Sequence, residues 1–249
     1  MKALVNSFLR PIGIEVRHIN AGNPFRPIGI LDCFLEDIKA RGFSPRGIVD
    51  IGANRGDWTR QARLVFPDTP TLMIEPQAEM EIHLFKTTME LPDCHYVKAG
   101  VGREEGELVQ TIWEDLAGSS FLPGADAEQL AAGTQRKTKI TTINTLLLDH
   151  YAALRPDLVK LDIQGFELEA LSGASTLFGK TEVFILETSL FRFLPKMPIT
   201  REVIAFMADR NYELYDITEY IRRPHDGALG QVDLAFVKSE GMFRKDSKW

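Results

Sequence analysis

Short runs of apolar residues alternate along the chain with segments in which apolar positions recur every three or four residues. The short runs predict buried strands, and the recurring positions predict helices that pack on them. The first predicted strand covers residues 47–51, and six more cover residues 72–75, 96–99, 157–162, 183–187, 212–217 and 232–237. Predicted helices cover residues 28–41, 57–66 and 78–87; another follows the fourth strand, and the last begins with Thr200 as its cap.

This alternation predicts an α/β fold with a doubly wound, mostly parallel sheet of seven strands and helices on both faces. Only residues 218–230 separate the last two strands. That loop is too short for a crossover helix, so the last strand should be antiparallel. Residues 106–141 interrupt the pattern: residues 107–113 predict a hairpin strand, and residues 117–136 are polar. We interpret residues 106–141 as a mobile excursion over a site.

The predicted organisation is a single domain over residues 1–249, with a helical arm at residues 1–44 and a core at residues 45–238. No window approaches 18 uninterrupted apolar residues, so we expect no transmembrane helix. One apolar helix face in the arm could pack on the domain or form a weak membrane-surface contact. That face comprises Leu4, Val5, Phe8 and Leu9.

The formal net charge of −6, with scattered Lys and Arg, gives no positive argument for a nucleic-acid partner. The two cysteines, Cys33 and Cys94, form no CxxC pair, which favours a reduced, cytoplasmic protein. The five histidines show no paired spacing, so we expect no metal site.

The strongest candidate for chemistry is VDIGANRGDW at residues 49–58. It is a strand that ends at Asp50, followed by a turn with Gly52 and Gly56 and by the start of a helix. Ligands of open α/β sheets bind outside the carboxyl ends of the strands, and glycine lets the backbone approach them closely. The spacing matches neither the dinucleotide fingerprint nor the phosphate loop. A glycine-rich turn is also a common structural feature, so both interpretations stay open.

Glu75 follows Asp50 by 25 residues and ends the next predicted strand. A carboxylate at this position can accept hydrogen bonds from both ribose hydroxyls. The structural alternative is a solvated side chain at a strand end. Asp50 and Glu75 together favour a nucleoside ligand without an obligatory pyrophosphate, and S-adenosylmethionine fits that description.

Lys160 and Asp162 end the fourth predicted strand. Asp162 should therefore lie beside the glycine turn, although it could instead cap the following helix. A buried lysine needs a partner, for which Asp162 and Glu187 are the candidates. Asp162 and Glu187 could also share Mg²⁺, but the sequence offers no third ligand.

From Val49 to Val237 the chain resembles the FkbM-type methyltransferases, a class I family that depends on S-adenosylmethionine. The resemblance rests on VDIGANRGDWT (49–59), IEP (74–76), GSSF (118–121), ITTINTLL (140–147), VKLDIQGFELEALSGA (159–174), ILE (185–187) and GQVDLAFV (230–237). It implies a Rossmann-like methyltransferase fold and O-methylation of hydroxyls in sugars, glycans or secondary metabolites.

The resemblance also implies site residues. The methionine and adenosyl parts of the cofactor would be held by Asp50, Gly52, Asn54 and Gly56. Glu75 would hold the ribose. Further cofactor contacts would be Pro76, Ser119, Ser120 and Asp162.

Methyl transfer to a hydroxyl gains from removal of its proton. We expect Asp162 to be the base, with Glu187 as second choice, and Lys160 to orient the carboxylates. Two alternatives stay open: N-methylation of an amine or peptide, and a catalytically silent module that binds S-adenosylmethionine. The expected partner is a small-molecule or glycan substrate.

Overall fold

The computed structural model describes residues 26–246 and 248. Its ten strands are β1 (Ile48–Ile51), β2 (Thr71–Ile74), β3 (Cys94–Val97), β4 (Gly100–Val101), β5 (Gly106–Thr111), β6 (Gln135–Thr141), β7 (Leu158–Leu161), β8 (Val183–Ser189), β9 (Tyr212–Arg222) and β10 (Leu229–Lys238). The apolar face predicted around Leu4 and Phe8 lies outside the described residues.

Seven α-helices accompany the strands in this part of the chain: α1 (Leu31–Ala40), α2 (Asp57–Val65), α3 (Glu81–Glu90), α4 (Ala127–Ala132), α5 (Ile143–Thr145), α6 (Glu167–Ser172) and α7 (Thr200–Ala208). A π-helical turn, Leu146–His150, continues α5, and short 3-10 helices cover Ala78–Met80 and Met242–Arg244. None of these helices is long and apolar enough to cross a bilayer.

Seven strands form the main sheet in the order β3-β2-β1-β7-β8-β10-β9. Strand β10 runs antiparallel to both of its neighbours, and the other pairings are parallel. The Rossmann-like class I fold predicted from the sequence is therefore confirmed, including the antiparallel last strand. The order reverses between β1 and β7, where open sheets of this kind bind their ligands.

Apolar clusters cover both faces of this sheet. On one face, α1 and α2 pack on residues such as Ile48, Leu158 and Ile185. On the other face, α6 and α7 pack on residues such as Val159 and Leu186. Strands buried on both faces appear as continuous apolar runs, which explains why the sequence located them well.

The segment at residues 106–141 is more regular than predicted. Strands β4, β6 and β5 form a second sheet, in which β5 and β6 pair antiparallel, and α4 precedes β6.

The cap predicted at Thr200 for the last helix is wrong: the cap position is Ile199, whose N–H donates to the Glu202 carboxylate. The Thr200 hydroxyl instead donates to the Ser189 carbonyl.

Candidate functional site

The glycine turn after β1 is fixed to both neighbouring strands. The N–H groups of Gly52 and Ala53 donate to the Ile74 carbonyl at the end of β2, at 2.9 and 3.1 Å. Gly52 has φ of 76°, and a Cβ there would lie 1.9 Å from the carbonyl oxygen of Asp162. Only glycine fits this position, because any side chain would push the loop after β7 away.

Glu75 lies directly after β2 and is only 3% exposed. Its Oε2 accepts the N–H of Asn54 at 2.9 Å, and its Oε1 accepts the N–H of Gln77 at 3.0 Å. Burial raises the pKa of Glu75, although these two backbone hydrogen bonds oppose the shift. Each carboxylate oxygen keeps a second acceptor site. Glu75 can therefore organise the turn and still accept hydrogen bonds from a ligand.

Lys160 is a buried cation at the centre of the site. Its Nζ lies 3.2 Å from the Gly52 carbonyl oxygen, 3.4 Å from Asp162 Oδ2 and 3.5 Å from Asp50 Oδ1. Burial disfavours the charge, but the carboxylates of Asp162 and Asp50 outweigh it and raise the pKa of Lys160. Asp162 is thus one of the expected partners. The second is Asp50, and the expected ion pair with Glu187 is absent from the described residues.

Asp162 opens a tight turn between β7 and α6. Its Oδ1 accepts a hydrogen bond from Gln164 Nε2 at 2.9 Å. Gln164 and Gly165 both have left-handed backbone conformations, with φ of 56° and 91°. Glu167, and not Asp162, accepts the free N–H groups there, from Ile163 and Gly165. The capping alternative for Asp162 is therefore wrong, and its side chain remains 34% exposed.

A row of carboxyl groups crosses the sheet beside Asp162. Asp233 on β10 is directly opposite Glu187 on β8 and Glu219 on β9. Burial raises the pKa of Glu187 well above its usual range, and a hydrogen bond with Asp162 adds to the shift. Burial also raises the pKa of Asp233 to about 7. The Oε1 atom of Glu187 accepts from Gln231 Nε2 at 2.7 Å.

A cavity of ≈ 270 Å³ opens where these elements meet. Its lining includes seven residues that the sequence had singled out: Gly52, Asn54, Glu75, Pro76, Ser119, Lys160 and Asp162. Four others that the sequence had singled out do not line it: Asp50, Gly56, Ser120 and Glu187. Their direct contact with a ligand stays a prediction.

Asp50 and Ser120 contact residues of the cavity wall from behind. Asp50 is fully buried, and its Oδ2 accepts from the Thr59 hydroxyl at 2.6 Å. The Ser120 hydroxyl donates to the Gln164 carbonyl at 2.9 Å, which ties the second sheet to the Asp162 turn. Both are therefore placed to support the residues that line the cavity.

Sequence reasoning missed several residues of the wall, among them Trp58, Gln77, Gln110 and Phe121. No spacing distinguishes a buried amide or indole of this kind from an ordinary core residue. Within residues 26–246 and 248, no group of three or more His, Cys, Asp or Glu side chains could hold a metal ion.

Comparison with known proteins points to one family. The sequence model of the methyltransferase FkbM domain matches residues 50–214, which is more than half of the chain. No curated protein sequence matches significantly.

Many solved structures resemble the fold at low identity. Precorrin-6y C5,15-methyltransferase from Geobacter metallireducens is 10% identical, with a TM-score of 0.44 over 83% of this chain and 87% of that chain. Magnesium protoporphyrin IX methyltransferase from Synechocystis, solved with bound S-adenosylmethionine, is 12% identical, with a TM-score of 0.45 over 96% and 97%. A toxoflavin-pathway N1-methyltransferase from Burkholderia thailandensis is 11% identical, with a TM-score of 0.45 over 84% and 76%. Because these identities and TM-scores are low, we assign the fold from the strand order of this chain itself.

Proposed function

Because the chain belongs to the FkbM methyltransferase family and is an S-adenosylmethionine-dependent methyltransferase, we propose that it methylates a hydroxyl oxygen of a sugar, a glycan or a secondary metabolite. The observation that carries the proposal is the Asp162 carboxyl group, which lines the cavity and remains partly exposed between Lys160 and Gln164.

The cavity wall fits the cofactor. Because Gly52 has no Cβ, the turn can pack against the Asp162 carbonyl, and the turn and the loop after β7 meet in one wall of the cavity. Glu75 offers two carboxylate oxygens to ribose hydroxyls, as nucleotide-binding folds commonly do. Asn54 and Pro76 lie on either side of it in the same wall. We assign the methionine and adenosyl parts to the glycine turn and the ribose to Glu75.

The bound cofactor supplies an activated methyl group, so the protein has mainly to position the acceptor and remove its proton. Asp162 accepts that proton from the acceptor hydroxyl. Gln164 and Lys160 hold the Asp162 carboxylate in place through its two oxygens. Glu187 is a weaker choice as base, because it is buried, does not line the cavity and accepts a hydrogen bond from Gln231.

A second candidate, N-methylation of an amine or peptide, is favoured by the carboxyl row. Glu187, Asp233 and Glu219 place carboxyl groups next to Asp162, and their oxygens can accept hydrogen bonds from the N–H groups of an amine acceptor. Because a neutral amine needs little help from a base, the two candidates differ in how much turnover depends on Asp162.

The test is Asp162→Asn, assayed with labelled cofactor and an acceptor found by screening sugars, glycans and metabolite hydroxyls. The amide keeps the size of the side chain and can still accept from Gln164. For O-methylation we expect saturating turnover to fall by roughly 10²-fold or more, with cofactor affinity within a few-fold of the wild type. Asp68→Asn, an exposed change far from the cavity, should leave both unchanged.

Near-normal turnover of the Asn variant with a hydroxyl acceptor would remove Asp162 as the base. Product formed only with amines would favour N-methylation, and cofactor binding without any product would favour the silent module. The cytoplasmic location and the single-domain organisation stay predictions.

A further inference from the structure

Two polar atoms in the cavity wall lack a hydrogen-bond partner among the described residues: Trp58 Nε1 and Gln77 Oε1. Both residues are more than nine-tenths buried, with exposed fractions of 8% and 4%. A buried polar group without a partner destabilises the protein, because it has lost its hydrogen bonds to water. Such atoms in the wall of a ligand cavity therefore indicate where a ligand completes the hydrogen bonding.

The orientation of the Gln77 amide is fixed. Its Nε2 donates to the Leu116 carbonyl at 3.0 Å, and a flipped amide would place two acceptors against each other. Its backbone N–H donates to Glu75, which puts the side chain next to the proposed ribose site. The unpartnered Oε1 is an acceptor, so it requires a donor from the ligand.

Trp58 offers a hydrogen-bond donor, whereas Gln77 Oε1 is an acceptor. It is the second residue of α2, close behind the glycine turn, and its ring packs in the apolar cluster between α1 and α2. The indole N–H can only donate, so it requires an acceptor. Lys160, which lines the same cavity, is itself a donor whose contacts are Gly52, Asp50 and Asp162, so it is not that acceptor. Trp58 therefore keeps a free donor at the glycine-turn end of the cavity.

We propose that Gln77 Oε1 accepts a hydrogen bond from the 6-amino group of adenine and that Trp58 Nε1 donates one to the methionine carboxylate of the cofactor. The cofactor carries a donor at its adenine end and an acceptor at its methionine end. Glu75, which is assigned to the ribose between them, lies directly beside Gln77 in the chain. The two residues thus fix the direction in which the cofactor lies in the cavity.

The proposal rests on the cofactor assignment and not on the identity of the methyl acceptor. Its test is calorimetric binding, with no acceptor present, of three ligands: S-adenosylhomocysteine, its 6-oxo analogue S-inosylhomocysteine, and an analogue that lacks the carboxylate. Each ligand is titrated into the wild type, Gln77→Met and Trp58→Phe.

We expect the wild type to bind the 6-oxo analogue and the carboxylate-free analogue each at least tenfold more weakly than S-adenosylhomocysteine. Gln77→Met should lose most of its discrimination against the 6-oxo analogue and keep that against the carboxylate-free one. Trp58→Phe should show the reverse. Each variant therefore serves as the matched control for the other.

The wild-type measurements can overturn either role even if a variant fails to fold, because equal affinity for S-adenosylhomocysteine and the carboxylate-free analogue would overturn the role of Trp58. Equal affinity of the wild type for S-adenosylhomocysteine and S-inosylhomocysteine would overturn the role of Gln77. Arg55 also lines the cavity and carries a positive charge. Suppose that Arg55→Gln binds S-adenosylhomocysteine and the carboxylate-free analogue equally while Trp58→Phe still distinguishes them. In that case Arg55 binds the carboxylate and the role of Trp58 is overturned.

Discussion

Glu75 combines a structural and a binding role in one side chain. A position at the end of a short strand suggests solvent exposure, yet its two oxygens hold the N–H groups of Asn54 and Gln77 inside the protein. The carboxylate thereby joins the glycine turn to the segment after β2. A change at Glu75 must affect both the cavity wall and any ligand in it.

We expect Glu75→Ala to lower cofactor affinity by about 1–3 kcal/mol and also to lower the melting temperature, because two buried N–H groups lose their acceptor. The measurement is thermal unfolding with and without S-adenosylhomocysteine. Glu36→Ala, on the exposed side of α1, should match the wild type in both. A folded Glu75→Ala protein with unchanged affinity would contradict the ribose assignment.

The sequence identified the site residues that follow a strand or form the glycine turn, because their position relative to a sheet edge can be deduced. Glu75, Lys160 and Asp162 are of this kind. Asp233 and Glu219 escaped notice because antiparallel register alone places Asp233 opposite Glu187 and Glu219 opposite Asp233, and no spacing along the chain reveals that register.

At the scale of elements, the second sheet was the part that the sequence predicted least well. Strand β4 has only two residues, too few for any periodicity. In β6, polar residues such as Gln135 and Thr138 occupy buried positions. Apolar residues therefore do not mark which positions of this strand are buried. The sheet nevertheless lines one side of the cavity through Gly100 and Val101 of β4 and Gln110 of β5.

Ser120 is the link between this sheet and the Asp162 turn. Its hydroxyl donates to the Gln164 carbonyl and accepts the N–H of Leu122. Ser120→Ala should therefore increase amide hydrogen exchange in residues 112–134 and 163–166, and lower the unfolding free energy by about 1–3 kcal/mol. Ser175→Ala, at an exposed position, should leave exchange in both segments unchanged. Unchanged exchange in Ser120→Ala would show that other contacts hold the sheet in place.

At the scale of the molecule, the sheet gathers buried acidic groups at the carboxyl ends of its central strands. Burial is the main cause that raises the pKa of Glu187, Glu167 and Asp233, with values of about 7 for the last two. A fold that buries several carboxyls beside one lysine resists their ionisation. The contribution of these carboxyls to stability therefore changes with pH in the direction opposite to ordinary acid denaturation.

A carboxyl group with a raised pKa binds its proton more tightly in the folded state. Its contribution to stability is complete below its unfolded pKa of 4.5 for Glu167 and is lost as the pH rises through the folded value of about 7. The cofactor-free protein should thus melt at a higher temperature at pH 5 than at pH 8. Glu167→Gln should gain about 2–3 kcal/mol at pH 8 and almost nothing at pH 5, because the amide oxygen can still accept from Ile163 and Gly165.

The measurement is chemical unfolding of both proteins across this pH range, and Glu169→Gln provides the control. Glu169 lies two residues away on α6, is partly exposed and pairs with Arg103, so its variant should follow the wild-type curve. Two parallel curves for the wild type and Glu167→Gln would mean that Glu167 is already ionised in the folded state at pH 5. In that case the carboxyls around Asp162 would form a negatively charged wall, and a cationic acceptor would become the better candidate.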